Sequence, residues 1–194
     1  MSRDIRILRE MISGAATIPI QKTLYGKRYA TLSESRDPKR REVMISGLPD
    51  NTIIIKADAF QSPDTIFNCS KGECKRADFI IVADTDKKRV ILYIEMKATR
   101  KGSSEKEIIR QLKGAQCFIG YCRNIGKSFW ESPNFLDGYE CRFIKIIPNN
   151  VSKGETRISR ETGVHDKPEK MLTIDSPKCD RLDFKHLVGK GNPT

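Results

Sequence analysis

Histidine is almost absent from this 194-residue sequence: His165 and His186 are the only two, both in polar stretches and far apart. Neither a paired-histidine metal centre nor histidine-based catalysis has a basis here. Long apolar runs are missing as well. No stretch of about 18 apolar residues occurs, so no membrane span is expected. Met1–Ser13 interrupts its apolar residues with Arg3, Asp4, Arg6, Arg9 and Glu10 and lacks the core of a secretory signal. There is no glycine-rich phosphate loop, and no helicase, zinc-finger or helix-turn-helix signature. The six cysteines include two pairs, Cys69 with Cys74 and Cys117 with Cys122, whose spacing of five lies outside that of a zinc knuckle. The expectation is a cytoplasmic protein whose cysteines stay reduced.

What the sequence holds in excess is positive charge. Against 25 acidic residues stand 36 lysines and arginines, a net charge of +11. A surplus of this size favours a polyanionic partner, because basic side chains displace counterions from phosphates. Charge for solubility is the plainer alternative. An anionic membrane surface would suit the same charge, but no long basic amphipathic helix is present to engage it. Hydrophobic residues make up 38%, enough for the core of one domain.

Ile5, Leu8 and Ile12 recur at helical spacing up to Gly14. Asp37-Pro38 has the form of an N-cap and a first-turn proline, predicting a second helix to about Ser46 with Gly47 as its stop. Ile53–Asp58, Phe79–Ala83, Arg89–Lys97 and Tyr139–Ile147 read as strands. Ahead of the last strand, Ser104 and Glu107 make a capping-box pattern, and Ile108, Leu112, Ala115, Ile119 and Cys122 mark one face of a helix. Gln61–Arg76 and Val151–Lys170 read as loops; 171–174 and 182–188 suggest a last hairpin or short helix. The order predicts an α/β fold, a mixed β-sheet with an antiparallel hairpin flanked by helices. One domain is expected over 1–194, with a core at about 37–150 and a charged loop and C-terminal extension over 151–194.

An acidic residue followed two places later by lysine recurs along the chain, among other places at Glu73 with Lys75, Asp86 with Lys88, Glu95 with Lys97, and Asp183 with Lys185. The first two fall in a loop and a turn. If the turn after Ala83 is centred between Asp86 and Lys87, Asp78 faces Glu95 across two antiparallel strands, with Cα atoms about 4.5 to 5.5 Å apart. Alternation then puts Lys97, Tyr93 and Ile91 on that same face, and Val90, Leu92, Ile94 and Met96 on the other. A slip of one residue would destroy the pairing. The same test fails for Asp183, whose opposite number in a hairpin near Pro177 is about Leu172. Two carboxylates this close repel by about 3 kcal/mol at an effective dielectric near 20. A divalent cation turns that repulsion into coordination, and hard oxygens suit Mg²⁺ or Mn²⁺. The plain alternative is a solvated strand face. Against it, Val90–Met96 is otherwise apolar, so Glu95 is expected to be buried and to want a partner.

Arg76-Ala77-Asp78-Phe79-Ile80-Ile81-Val82, followed by Tyr93-Ile94-Glu95-Met96-Lys97-Ala98-Thr99, resembles the PD-(D/E)xK nuclease superfamily of restriction-endonuclease-like proteins. The similarity runs over about 53–147. It implies an αβββαβ core and Mg²⁺-dependent phosphodiester hydrolysis, first of all as a DNA endonuclease. Asp78 and Glu95 would then be metal ligands and Lys97 the catalytic lysine. Ala77 stands where the motif has proline, and the literal Pro63-Asp64 lies in a loop. Some members add a glutamate from the first core helix, for which Glu42 is the candidate, or a glutamine from the helix after the lysine, for which Gln111 is. Lys75, Arg76, Arg100 and Lys101 flank the strand ends and are expected to hold phosphates; Lys39, Arg40 and Arg41 would flank Glu42. A homodimer or partner subunit would supply target choice, and a role in defence against foreign DNA fits the superfamily. The alternative is a non-catalytic nucleic-acid-binding or scaffold subunit of the same fold.

Overall fold

The computed structural model describes residues 1–33, 42–61, 63–85, 87–97, 103–149, 157–159, 164–177 and 181–189. In chain order its elements are α1 (Arg3–Met11), β1 (Gln21–Lys22), β2 (Arg28–Ser33), β3 (Glu42–Ser46), β4 (Asn51–Lys56), β5 (Phe79–Asp84) and β6 (Arg89–Met96). They continue with α2 (Glu105–Phe129), β7 (Glu140–Asn149), β8 (Arg157–Ser159), β9 (Leu172–Pro177), β10 (Arg181–Asp183) and α3 (Phe184–Val188). A six-stranded sheet has the order β4-β5-β6-β7-β9-β8, and a four-stranded sheet the order β1-β2-β3-β10. β4, β5 and β6 are antiparallel neighbours, whereas β6, β7 and β9 run parallel, with α2 crossing from β6 to β7. The fold is mixed α/β, two sheets flanked by helices.

Strand alternation sorts the core onto two faces. Ile55, Ile80, Val82, Ile91, Tyr93 and Phe143 pack with α1 and α2. Ile54, Phe79, Ile81, Leu92, Ile94 and Ile144 pack with the four-stranded sheet and α3. With both faces covered, the central strands are near-continuous apolar runs.

The β5–β6 hairpin has the register expected from its turn. Phe79 pairs with Ile94 and Asp84 with Arg89. Thr85 and Lys88 exchange backbone hydrogen bonds of 2.9 and 3.3 Å, which centres the turn between positions 86 and 87. One more step of that register brings Asp78 beside Glu95.

Several expectations need correction. Glu42–Ser46, expected to be helical, is β3. Its β-branched Val43 and Ile45 are buried, and alternate with exposed Glu42 and half-buried Met44, a period of two that suits a strand; the Asp37-Pro38 cap signal lies outside the described residues. Helix α2 continues past Cys122 to Phe129 because buried Gly126 lets Phe135 pack directly on the helix. Of the two C-terminal alternatives, the short helix forms as α3, Phe184–Val188, and the hairpin does not: β9 pairs with β7 and β10 with β3, each in parallel. Cys69 and Cys74 are not thiols but a disulfide. Cys69 at φ 57° and Gly72 at φ 89° fold the loop so that the two Cα atoms stand 5.3 Å apart, within disulfide reach. Cys117, Cys122 and Cys141 are free, and Cys179 lies outside the described residues. Among the described residues no helix is long and apolar enough to cross a membrane.

Close approach of α2 to the chain before β5 sets the position of that segment. A Cβ at Gly114 would stand 1.7 Å from the Lys75 carbonyl oxygen, whereas one at Gly120 would meet nothing within 4 Å. Gly114→Ala is therefore expected to cost about 1–3 kcal/mol through forced displacement. Gly120→Ala is expected to gain up to about 1 kcal/mol in helix propensity. Thermal unfolding of the two variants checks the contact; a Gly114→Ala protein that melts with the wild type would contradict it.

Candidate active site

Asp78 ends the loop before β5, and Glu95 and Lys97 lie at the end of β6, so hairpin register brings all three to one end of the sheet. Asp78 is held from both sides. Its carbonyl accepts from the Ala57 N–H at 2.9 Å, and its Oδ2 accepts from the Met96 N–H at 2.7 Å. Glu95 is 1% exposed. Lys97 reaches it with Nζ–Oε1 at 2.5 Å, and the Lys97 N–H donates to the Ile146 carbonyl at 2.9 Å.

A lysine–glutamate ion pair alone would be a sufficient structural explanation if it satisfied the glutamate. It does not. Glu95 Oε2 is buried without a hydrogen-bond partner. Burial pushes the Glu95 carboxyl up to about 8, and the charge of Asp78 pushes the same way, outweighing the lowering by Lys97 and by a hydrogen bond from the Asp78 backbone N–H. An unsatisfied buried carboxylate oxygen is destabilising, and here a second carboxylate adds to the cost.

Among the described residues no group of three or more His, Cys, Asp or Glu is placed to hold an ion. A zinc cage needs about four such ligands. Mg²⁺ takes about one or two carboxylates and completes its shell with water and phosphate oxygens. Asp78 with Glu95 and its orphaned oxygen fit that second pattern.

Helix α2 closes one side. Ser104 caps it, its Oγ accepting from the Glu107 N–H at 3.2 Å. The Glu107 carboxylate pairs with Lys75 Nζ at 2.7 Å and is also held below the usual carboxylate range by Lys75 and, more weakly, by the charge of Lys97. Gln111 lies one turn beyond Glu107 and one turn before Gly114, on the stripe that meets Lys75 and Arg76. Its Oε1 is buried with no hydrogen-bond partner, a second orphaned oxygen near this end of the sheet.

The flanking residues divide. Lys75 is engaged by Glu107. Arg76 Nη1 donates to the Glu73 and Lys75 carbonyls at 3.1 and 2.8 Å, and its guanidinium lies 5.2 Å from the centre of the Phe60 ring. Arg100, Lys101 and Lys39–Arg41 lie outside the described residues. Glu42 is not brought to the site: it is exposed at the start of β3, in the sheet that packs on the far face of the central one. The sequence reading overlooked Glu107 as a member of this cluster. Its capping role is visible in sequence, whereas its pairing with Lys75 arises from the approach at Gly114. His165, read as polar, is buried with Nε2 2.8 Å from the Leu187 carbonyl oxygen, and serves the packing of α3.

The raised Glu95 carboxyl fixes a sign for pH dependence. Folded Glu95 holds its proton to about 8, whereas in the unfolded chain it ionises near the ordinary 4.5. Between those values the folded state binds more protons, so this contribution to stability is present at low pH and is lost as pH rises through the window. In EDTA the stability of the wild type relative to Glu95→Gln is expected to fall steadily from about pH 5 to 8. Paired thermal melts measure it; parallel pH profiles would contradict the burial argument.

The chain matches no family model, no curated protein and no solved structure, so the site stands on its own geometry.

Proposed function

We propose that this chain is a divalent-metal-dependent nuclease acting on DNA, with a restriction-endonuclease-like αβββαβ core built from α1, β4, β5, β6, α2 and β7. The observation that supports it most is the unpartnered, buried Glu95 Oε2 next to Asp78. Asp78 and Glu95 are the metal ligands in this reading, and Lys97 the catalytic lysine. Mg²⁺ or Mn²⁺ bound there would polarise a phosphate oxygen and lower the pKa of a coordinated water.

The protein's own groups do the positioning. The Met96 N–H fixes the Asp78 carboxylate, and the strand backbone fixes Glu95, so neither needs to reorganise. Lys97 is 16% exposed at its side chain, open enough to orient an attacking water and offset charge on the pentacovalent transition state. Gln111 offers an amide to that water or to a phosphate oxygen. The basic surplus of the chain supplies affinity for the phosphate backbone. The second reading is a non-catalytic nucleic-acid-binding subunit, with which the direct Lys97–Glu95 ion pair is equally compatible.

Incubation with plasmid, linear and single-stranded DNA, with and without Mg²⁺ or Mn²⁺, separates the two. Metal-dependent cleavage is expected. Lys97→Ala is expected to lower its rate by about 10²-fold or more, while binding changes little, since Lys97 is one of 36 basic residues. Wild-type cleavage by Lys97→Ala, or none by the wild type with either metal, would overturn the assignment.

A further inference from the structure

Next to this site the surface carries aromatic rings that the core does not use. Phe60 is 37% and Tyr121 56% exposed, with their ring centroids 6.3 Å apart, and Phe60 leans on Phe118 at 5.1 Å. Ile66 and Phe67, from the disulfide-bearing loop, are also exposed. An apolar surface of this kind would by itself say nothing about its partner. Two features do.

The first is charge. The Arg76 guanidinium lies against the Phe60 ring, in a chain of net charge +11, so the patch interleaves aromatic faces with cations. The second is continuity with the candidate catalytic residues. Phe60 follows by three residues Ala57, whose N–H holds the Asp78 carbonyl, and Arg76 precedes Asp78 by two. Along α2, the stripe that carries Glu107, Gln111 and Gly114 leads on to Phe118 and Tyr121. A polymer with one phosphate at Asp78 and Glu95 would therefore run across these rings.

We infer that Phe60, Tyr121 and Arg76 form a stacking platform for unpaired bases, so that the site takes a single-stranded polynucleotide. The inference rests on the nuclease reading above and narrows its substrate. Bases in a duplex are stacked on each other and present no face to an aromatic side chain. Unpaired bases do, and each contact is largely indifferent to sequence. Arg76 then serves as the positive edge of the platform while its Nη1 keeps the loop in place.

The test is equilibrium binding by the full chain in EDTA, where nothing is cut. The probes are a 2-aminopurine-labelled single-stranded DNA, the same sequence as RNA, and the DNA duplex. Single strands are expected to bind tighter than the duplex, with the label's fluorescence changing on binding. Tyr121→Ala, and Phe60→Leu, which keeps the packing on Phe118 but removes the ring, are each expected to weaken single-strand binding about five-fold or more and to leave duplex binding alone. DNA and RNA arms tell the two sources of unpaired bases apart, and tight binding of either supports the platform. Equal affinity for duplex and single strands, unchanged in both variants, would overturn the platform and leave the metal site standing. A change of oligomeric state in the variants without loss of binding would overturn it too, making the patch a protein interface. No binding of any probe would overturn both readings.

Discussion

Glu95 puts an ionisable group where the fold has prepared for an apolar one, and the residues around it decide what its ionisation costs. The neighbouring positions of β6, from Val90 to Met96, are all buried and otherwise uncharged. Lys97 pairs with one oxygen of the carboxylate and the Asp78 backbone N–H hydrogen-bonds it, yet the charge of Asp78 raises the cost again. Replacing a buried ion pair by apolar groups of similar size is often neutral or stabilising. Isoleucine at this position would suit the strand better than glutamate does. The arrangement is thus hard to explain by stability alone, and it becomes favourable once a cation lies between the two carboxylates.

The rest of the molecule makes that arrangement rigid. The central sheet is packed on both faces, so the backbone that carries Asp78, Glu95 and Lys97 has little freedom to relieve the repulsion by moving. Helix α2 is pinned by the contact of Gly114 with Lys75, and this brings Glu107 and Gln111 to the same end of the sheet. A site built on strands and a packed helix holds its groups more accurately than one built on loops. The loop residues Lys75 and Arg76 also bind the chain before β5 to itself and to α2 through their hydrogen bonds.

The hairpin was legible because its information is local. A short turn sets the register, and strand alternation then decides the face of every residue from Asp78 to Lys97. The Ser104 cap was legible for the same reason. What depended on distant contacts was not. β3 is a strand because β2 and β10 pair with it on either side, while the sequence around Asp37-Pro38 signals a helix start. Likewise β9 and β10 lie close in sequence but enter different sheets, which no turn signal encodes. The link between Cys69 and Cys74 depends on the left-handed turn in their loop. The place of Glu107 depends on a glycine contact seven residues further along the helix.

The central claim is that Asp78 and Glu95 share one cation, and metal-induced thermal stabilisation tests it most directly. Wild type and Asp78→Asn are melted in EDTA and in Mn²⁺. Saturating metal at a hundred times its dissociation constant stabilises a folded protein by about 2.7 kcal/mol. At this chain length that amounts to several degrees. The account predicts such a rise for the wild type and little for Asp78→Asn. It also predicts that above about pH 8, where Glu95 is ionised, metal-free Asp78→Asn melts at or above metal-free wild type, because the substitution removes the repulsion. Equal shifts in the two proteins would place the cation elsewhere and contradict the account.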